Sequence, residues 1–296
     1  MNLWSTIWTP MLLTNSEKMI TDNNFLYEIK FDGIRALLFI TSKQIVIKNR
    51  HGKDITKKFP ELQEIKKIAS QKMIIDGEIT LFEKNRPNFS KLIERIHCNP
   101  EKTKYDSQTN PVIFIAFDIL YKEKDITSMP LIKRKEVLNQ LKDTNFFCKS
   151  KTFENGKELF IQTKKLKLEG IVAKEKNSIY EINTRSISWI KIKHQKQEIF
   201  YIGGYQEKPN NDVISLLLGE YQNKKLNYVG KVTVAKKNPI ISKLKKLKTL
   251  SSNPFDKKIT NFQFVVPKYT CLVKYLERTN SGSLRHPIFQ KIIEKK

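Results

Sequence analysis

Two hydrophobic periodicities alternate along the chain. Short runs rich in β-branched and aromatic residues, bounded by turn-forming residues, predict strands. They are FLYEIKFD (25–32), IRALLFI (34–40), QIVIKNR (44–50), MIIDGEITLF (73–82), VIFIAFDILY (112–121), GIVAKE (170–175) and SWIKIK (188–193). Between them, longer stretches with apolar residues every three or four positions predict helices over 59–70, 88–97, 130–142 and 156–167, with Pro130 suited to a first turn. Further on, strand patterns recur at 199–207, 213–222, 226–235, 262–267 and 271–277, together with one basic helix at 239–250. Strands that mostly follow one another directly predict an α+β domain of antiparallel sheets with flanking helices rather than a doubly wound fold. Five short strands and one helix in the last third predict a small barrel of the OB type. The polar segment 193–198 is the natural boundary, giving domains at 1–195 and 196–296 joined by a short linker.

Composition adds a partner. Among 296 residues, 55 are Lys or Arg and 30 are Asp or Glu, a net charge of +25. An excess of that size points to a polyanion, nucleic acid or an acidic membrane. Residues 196–296 carry 20 basic and 7 acidic residues, so the last third is the more basic part. The longest apolar run, Val112–Phe117, is far too short to span a bilayer, and the first residues lack the features of a signal peptide. Cys98, Cys148 and Cys271 are widely spaced, which argues against a disulfide scaffold or a cysteine zinc site and fits a reducing cytoplasm. Arginine is scarce, 8 against 47 lysines, so each arginine is informative.

The sharpest local feature is YEIKFDGIR, Tyr27–Arg35. One reading is a β-hairpin turning at Asp32-Gly33. The other starts from Lys30, with Glu28 and Asp32 two residues to either side; in an extended strand the three would share a face, and an amine held between acids can serve as a nucleophile. Further segments tip the balance toward chemistry: NRHG (49–52), DGE (76–78) inside an apolar strand, Phe117-Asp118 in the most apolar strand, EGIVAK (169–174), and WIKIK (189–193), which puts Lys191 and Lys193 on one strand face.

The ordered series KFDGIR, NRHG, DGE, FDIL, EGIVAK, WIKIK resembles the nucleotidyl-transfer motifs of ATP-dependent DNA ligases and mRNA capping enzymes. The stretch from GGYQ to LRHPIFQ is similar to the C-terminal barrel of bacterial end-joining, LigD-type, ligase domains. The resemblance implies that Lys30 attacks the α-phosphorus of ATP and keeps AMP as a phosphoramidate. It implies further that Glu28 turns to the adenine, Arg35 and Glu78 hold the ribose, and Phe117 stacks on the base. Lys191 and Lys193 would face the phosphates, Glu169 would bind Mg²⁺ (or Mn²⁺), and Arg50 would grip the 5′-phosphate of nicked double-stranded DNA. AMP then passes to that phosphate, and the 3′-hydroxyl displaces it. A free lysine has a pKa of about 10.4, so only about 1 in 2,500 is neutral at pH 7; neighbouring positive charge or burial must lower it.

An RNA ligase, a capping-type guanylyltransferase, or a basic nucleic-acid-binding protein without activity are the alternatives. The resemblance also implies a monomer acting in the cytoplasm, without membrane association, in DNA repair and with a Ku-like end-binding partner where it serves end joining. One element departs from the family. Where related chains end in R-x-D-K, this one has Ile293 at the arginine and Lys295 at the aspartate, leaving Arg285 or a terminal lysine as replacements.

Overall fold

The computed structural model describes residues 9–68, 71–207, 211–279 and 281–293. It divides into two compact units, Met1–Lys193 and His194–Lys296.

Besides the short ribbon of Phe82–Glu83 with Arg86–Pro87, the first unit contains two sheets. One has the strand order Leu12–Ser16, Arg185–Lys193, Gly170–Glu175, Phe25–Lys30, Thr152–Phe153. The other runs Phe147–Lys149, Ile113–Lys122, Met73–Thr80, Ile34–Ile40, Ile45–Asn49, with Lys124–Asp125 paired on its longest strand. Most pairings are antiparallel; Leu12–Ser16 on Arg185–Lys193 and Phe147–Lys149 on Ile113–Lys122 are parallel.

Continuous apolar runs mark the second sheet because both of its faces are buried. Ala36, Leu38 and Ile40 join Ile75 and Phe114 in a core covered by Leu62, Ile65 and Leu92. The alternate residues Leu37 and Phe39, with Ile74 and Leu120, pack against Met11, Leu131, Tyr180 and Trp189. The outer face of the first sheet, Tyr27, Ile171, Ala173 and Ile192, is covered by Leu159 of helix Gly156–Lys165. The period of two then places Glu28, Lys30, Lys174, Trp189, Lys191 and Lys193 on the inner face of the first sheet, toward the second.

Several expectations are corrected. Asp32-Gly33 is no hairpin turn: Phe25–Lys30 and Ile34–Ile40 lie in different sheets, and the segment between them crosses from one to the other. Gly33 is required there by close approach, since a Cβ would lie 2.2 Å from the Ile79 carbonyl oxygen. The strand ends at Lys30, so Asp32 does not share a strand face with Glu28 and Lys30. The expected helix over 59–70 is a 3₁₀ helix at Pro60–Ile68, and Ala69 and Ser70 lie outside the described residues. A helix at Pro100–Thr109 carries almost no apolar periodicity and was not legible; Asn99 caps it by accepting from the Lys102 N–H at 2.8 Å.

The second unit is a seven-stranded antiparallel sheet built on Lys196–Glu207. One edge of that strand pairs with Val213–Gln222, which pairs in turn with Lys225–Ala235. Its other edge serves Thr270–Tyr275 and then Gln263–Val265, and a bulge between Ile202 and Gly204 interrupts the pairing with Val213–Gln222. A long strand shared in this way belongs to the OB-type barrel. Phe200, Ile202, Leu216, Val232 and Val273 fill the core with Ile240 and Leu244 of helix Pro239–Lys245. The helix is shorter than its pattern suggested because Thr249–Leu250 forms a strand. Ile288–Ile293, which had no expectation, pairs with Thr270–Tyr275.

Candidate active site

Three neighbouring strands build the centre of the site. Gly170 stands in register with Lys30 on one side and Lys193 on the other. A side chain at Gly170 would strike the Ile192 carbonyl oxygen at 2.1 Å, and its φ of +149° disfavours any L residue, so glycine is needed for the strands to close at this point. Glu169, just before it, bridges the flanking lysines: Oε2 lies 2.7 Å from Lys30 Nζ and Oε1 lies 2.5 Å from Lys193 Nζ. Burial pushes the Glu169 carboxyl up, but the two ammonium groups outweigh it and hold it below the usual carboxylate range. Lys191, opposite Val172, is pushed down by burial first and then by Lys193 and Lys30.

A cavity opens between the sheets, lined by Glu28, Lys30, Arg35, Glu78 and Phe117, and also by Leu13, Val172, Lys174 and Trp189. Arg35 forms a fork on Asp76, Nε to Oδ1 at 3.1 Å and Nη2 to Oδ2 at 2.7 Å, and the Tyr180 hydroxyl donates to Oδ2 at 2.6 Å. This holds the guanidinium 5.3 Å from the Phe117 ring centroid and directly across the strand pair from Glu78. Glu78 is pushed up to about 8, mainly by burial, with Glu169 and Asp76 adding to the rise and Lys30 and Arg35 opposing it. It therefore retains a proton at neutral pH and can donate as well as accept.

At the other end, Glu28 is buried with Oε1 2.5 Å from Lys135 Nζ and 3.1 Å from Lys174 Nζ. Lys174 lies over the Phe117 and Trp189 rings, 4.4 and 4.0 Å from their centroids. Burial lowers its pKa to about 8, assisted by Lys135 and opposed by Glu28. Phe117 and Trp189 meet edge to face at 6.2 Å. Beneath them, Arg134 of helix Leu131–Asn139 and Asp118 form a fully buried two-bonded pair at 2.9 and 2.8 Å.

Of the residues singled out in the sequence, Glu28, Lys30, Arg35, Glu78 and Phe117 line one cavity, while Glu169 touches Lys30 directly and Lys193 meets the other oxygen of Glu169. Arg50 does not line that cavity. It sits exposed in the turn after Ile45–Asn49, its Nε donating to His51 Nε2 at 2.9 Å. The turn is fixed by Asn49 Oδ1, which accepts from the N–H groups of His51 and Lys53 at 2.9 and 3.1 Å. Arg285 is paired with Glu277 at 2.9 Å, Ile293 ends the last described strand, and Lys295 lies outside the described residues. Asp76, Lys174 and Trp189 fall inside motifs already noted, but nothing in the sequence marked Lys135 or Tyr180. Among the described residues there is no cluster of three His, Cys, Asp or Glu side chains able to hold a metal. Glu169 offers a single carboxylate, which suits a hard cation that keeps several waters and arrives with a polyphosphate.

The family model for the ATP dependent DNA ligase domain matches residues 10–193. The chain belongs to the ATP-dependent DNA ligases. The model for the ligase C-terminal region matches residues 209–296, so both units of this ligase fall within the family. It is 32% identical over 286 residues to the SPbeta prophage-derived DNA ligase-like protein LigB of Bacillus subtilis, covering 95% of this chain and 97% of that one. It is 30% identical over 290 residues to the multifunctional non-homologous end joining protein LigD of Pseudomonas aeruginosa, covering 91% of this ligase but only 34% of that longer protein. Among solved structures, mycobacterial DNA ligase D complexed with ATP and MES is similar in fold, with a TM-score of 0.60, 24% identity and coverage of 98% and 96% of the two chains. These matches favour DNA ligase activity over a capping-type enzyme or a binding-only protein.

Proposed function

We propose that this ligase seals 5′-phosphate/3′-hydroxyl nicks in duplex DNA through an adenylate carried on Lys30. The observation that supports this most directly is Lys30 Nζ, held by Glu169 at the edge of the cavity lined by Phe117, Arg35 and Glu78. The free amine attacks the α-phosphorus of ATP, an N–P bond forms, and pyrophosphate leaves. Lys193 on the other Glu169 oxygen and Lys191 two residues along the same strand bring further positive charge to the reacting end of the site. The same charges offset the negative charge that builds on the phosphate. Phe117 supplies the stacking face for adenine, while Arg35 and Glu78, side by side, suit the ribose hydroxyls.

Glu169 is the residue that would hold Mg²⁺ or Mn²⁺, which when bound would neutralise phosphate charge. Arg50, exposed on its turn, carries the planar fork that suits a 5′-phosphate. The net charge of +25 supports an electrostatic grip on the duplex. Among the described residues no helix is long and apolar enough to cross a membrane. The enzyme acts as a monomer in the cytoplasm at the nucleoid, and its similarity to the LigD ligase segment supports a role in end joining with a Ku-like partner.

Incubation with α-labelled ATP and Mg²⁺ tests the core of this reading. Wild type should carry an adenylate on the peptide containing Lys30, and Lys30→Ala should carry none; a labelled Lys30→Ala protein would remove Lys30 from the role. Matched nicked duplexes with DNA or RNA strands test the substrate.

A further inference from the structure

The Glu28 carboxylate sits in the seam between the sheets, 2% exposed, where an ionised group persists only if it is paired. Two ammonium groups meet the same oxygen from different directions. Lys174 reaches it from within the sheet and lines the cavity. Lys135 reaches it from helix Leu131–Asn139, is 5% exposed, and is not among the cavity-lining residues. That helix is fixed on either side of Lys135, by Leu131 and Leu138 in the apolar cores and by the buried Arg134–Asp118 pair. Lys135 therefore has little freedom, and its one described ion-pair partner is Glu28.

We infer that Lys135 is a positioning residue that sets the base preference of this ligase, holding Glu28 as an ionised acceptor for the 6-amino group of a purine. The inference rests on the reading that the cavity takes the base of the nucleotide. An ionised carboxylate only accepts hydrogen bonds. Adenine presents a donor at position 6, whereas hypoxanthine and guanine present an acceptor there, which would face the carboxylate and leave both groups buried without a donor. Burial alone would push the Glu28 carboxyl up and let it take a proton; Lys135 first, then Lys174 and the Ser150 hydroxyl, reverse that direction. Lys174 is also engaged with two aromatic rings and lines the cavity, whereas Lys135 meets Glu28 from outside it at 2.5 Å.

The test compares labelling of the whole protein by ATP and by inosine triphosphate, which carries a carbonyl in place of the 6-amino group and a proton on N1, with kcat and KM separated. Wild type should prefer ATP by roughly 100-fold or more in kcat/KM, as expected of a site built around one hydrogen-bond donor. In Lys135→Met the KM for ATP should rise and the preference should fall, each by about tenfold or more, with kcat changing far less. Lys135→Arg should restore both, which a merely structural role would not require. Should Lys135→Met fail to fold, Lys135→Gln, which drops the charge but keeps a polar group, carries the same comparison. Equal labelling of wild type by the two nucleotides overturns the inference, as does a folded, uncharged variant that keeps both the wild-type KM and the preference. Absence of labelling by any nucleotide in wild type would instead overturn the reading of the site itself.

Discussion

Lys30 and Lys193 stand opposite the same residue, Gly170, on the two strands that flank it. The pairing register thus delivers two lysines, distant in sequence, to the two oxygens of one carboxylate at Glu169. Their geometry is set by backbone hydrogen bonding, which makes the site stiff at its most reactive point.

Gly170→Ala should be destabilising out of proportion to one methyl group. The added Cβ meets the Ile192 carbonyl at 2.1 Å in a conformation with φ of +149°, so a loss of about 2 kcal/mol or more is expected. Urea denaturation measures it, and an unchanged midpoint would mean that the strands tolerate separation here.

Glu78 should make stability depend on pH. Its folded pKa of about 8 lies above the ordinary 4.5, so between those values the folded protein keeps a proton that the unfolded chain has released. Stability attributable to Glu78 therefore falls as pH rises through that window and levels off above it. Thermal melts of wild type and Glu78→Gln from pH 5 to 9 should diverge, the variant gaining relative to wild type as pH increases. Parallel curves would mean that Glu78 is already ionised at neutral pH.

Arg134→Met should unfold the first unit readily. The change leaves Asp118 charged and buried without its partner, at an expected loss of about 3–5 kcal/mol. Replacing both residues, Arg134→Met with Asp118→Leu, should recover much of that loss. If the double variant is no better than the single one, helix packing rather than the charge pair is the stabilising element.

Arg50→Ala should leave the unfolding free energy nearly unchanged, within about 0.5 kcal/mol, because the side chain is exposed. Binding to a duplex nicked with a 5′-phosphate should weaken, and binding to the same nick with a 5′-hydroxyl should not. Equal weakening on both would make Arg50 a general backbone contact.

Most strands were legible because their runs of β-branched and aromatic residues exceed what a solvated segment carries, as in Ile34–Ile40 and Ile113–Lys122. Helix Pro100–Thr109 was not, since it buries only Thr103 and so imprints no apolar stripe. The 3₁₀ helix at Pro60–Ile68 looked α-helical because a similar set of residues, Leu62 and Ile65, faces the core in either geometry.

The sequence by itself determined which side chains this ligase has for its chemistry and the order in which they come, and period-two alternation already placed Lys191 and Lys193 on one face. It could not say that the chain at Asp32-Gly33 changes sheets instead of turning back, because a tight turn and a close crossing both call for a small, flexible pair. Nor could it show Lys135 behind Glu28, or Tyr180 and Asp76 behind Arg35. Those partnerships join residues 41 to 145 positions apart. Only the packing of the two sheets, driven by burial of the apolar residues around them, brings such charges close enough to need one another.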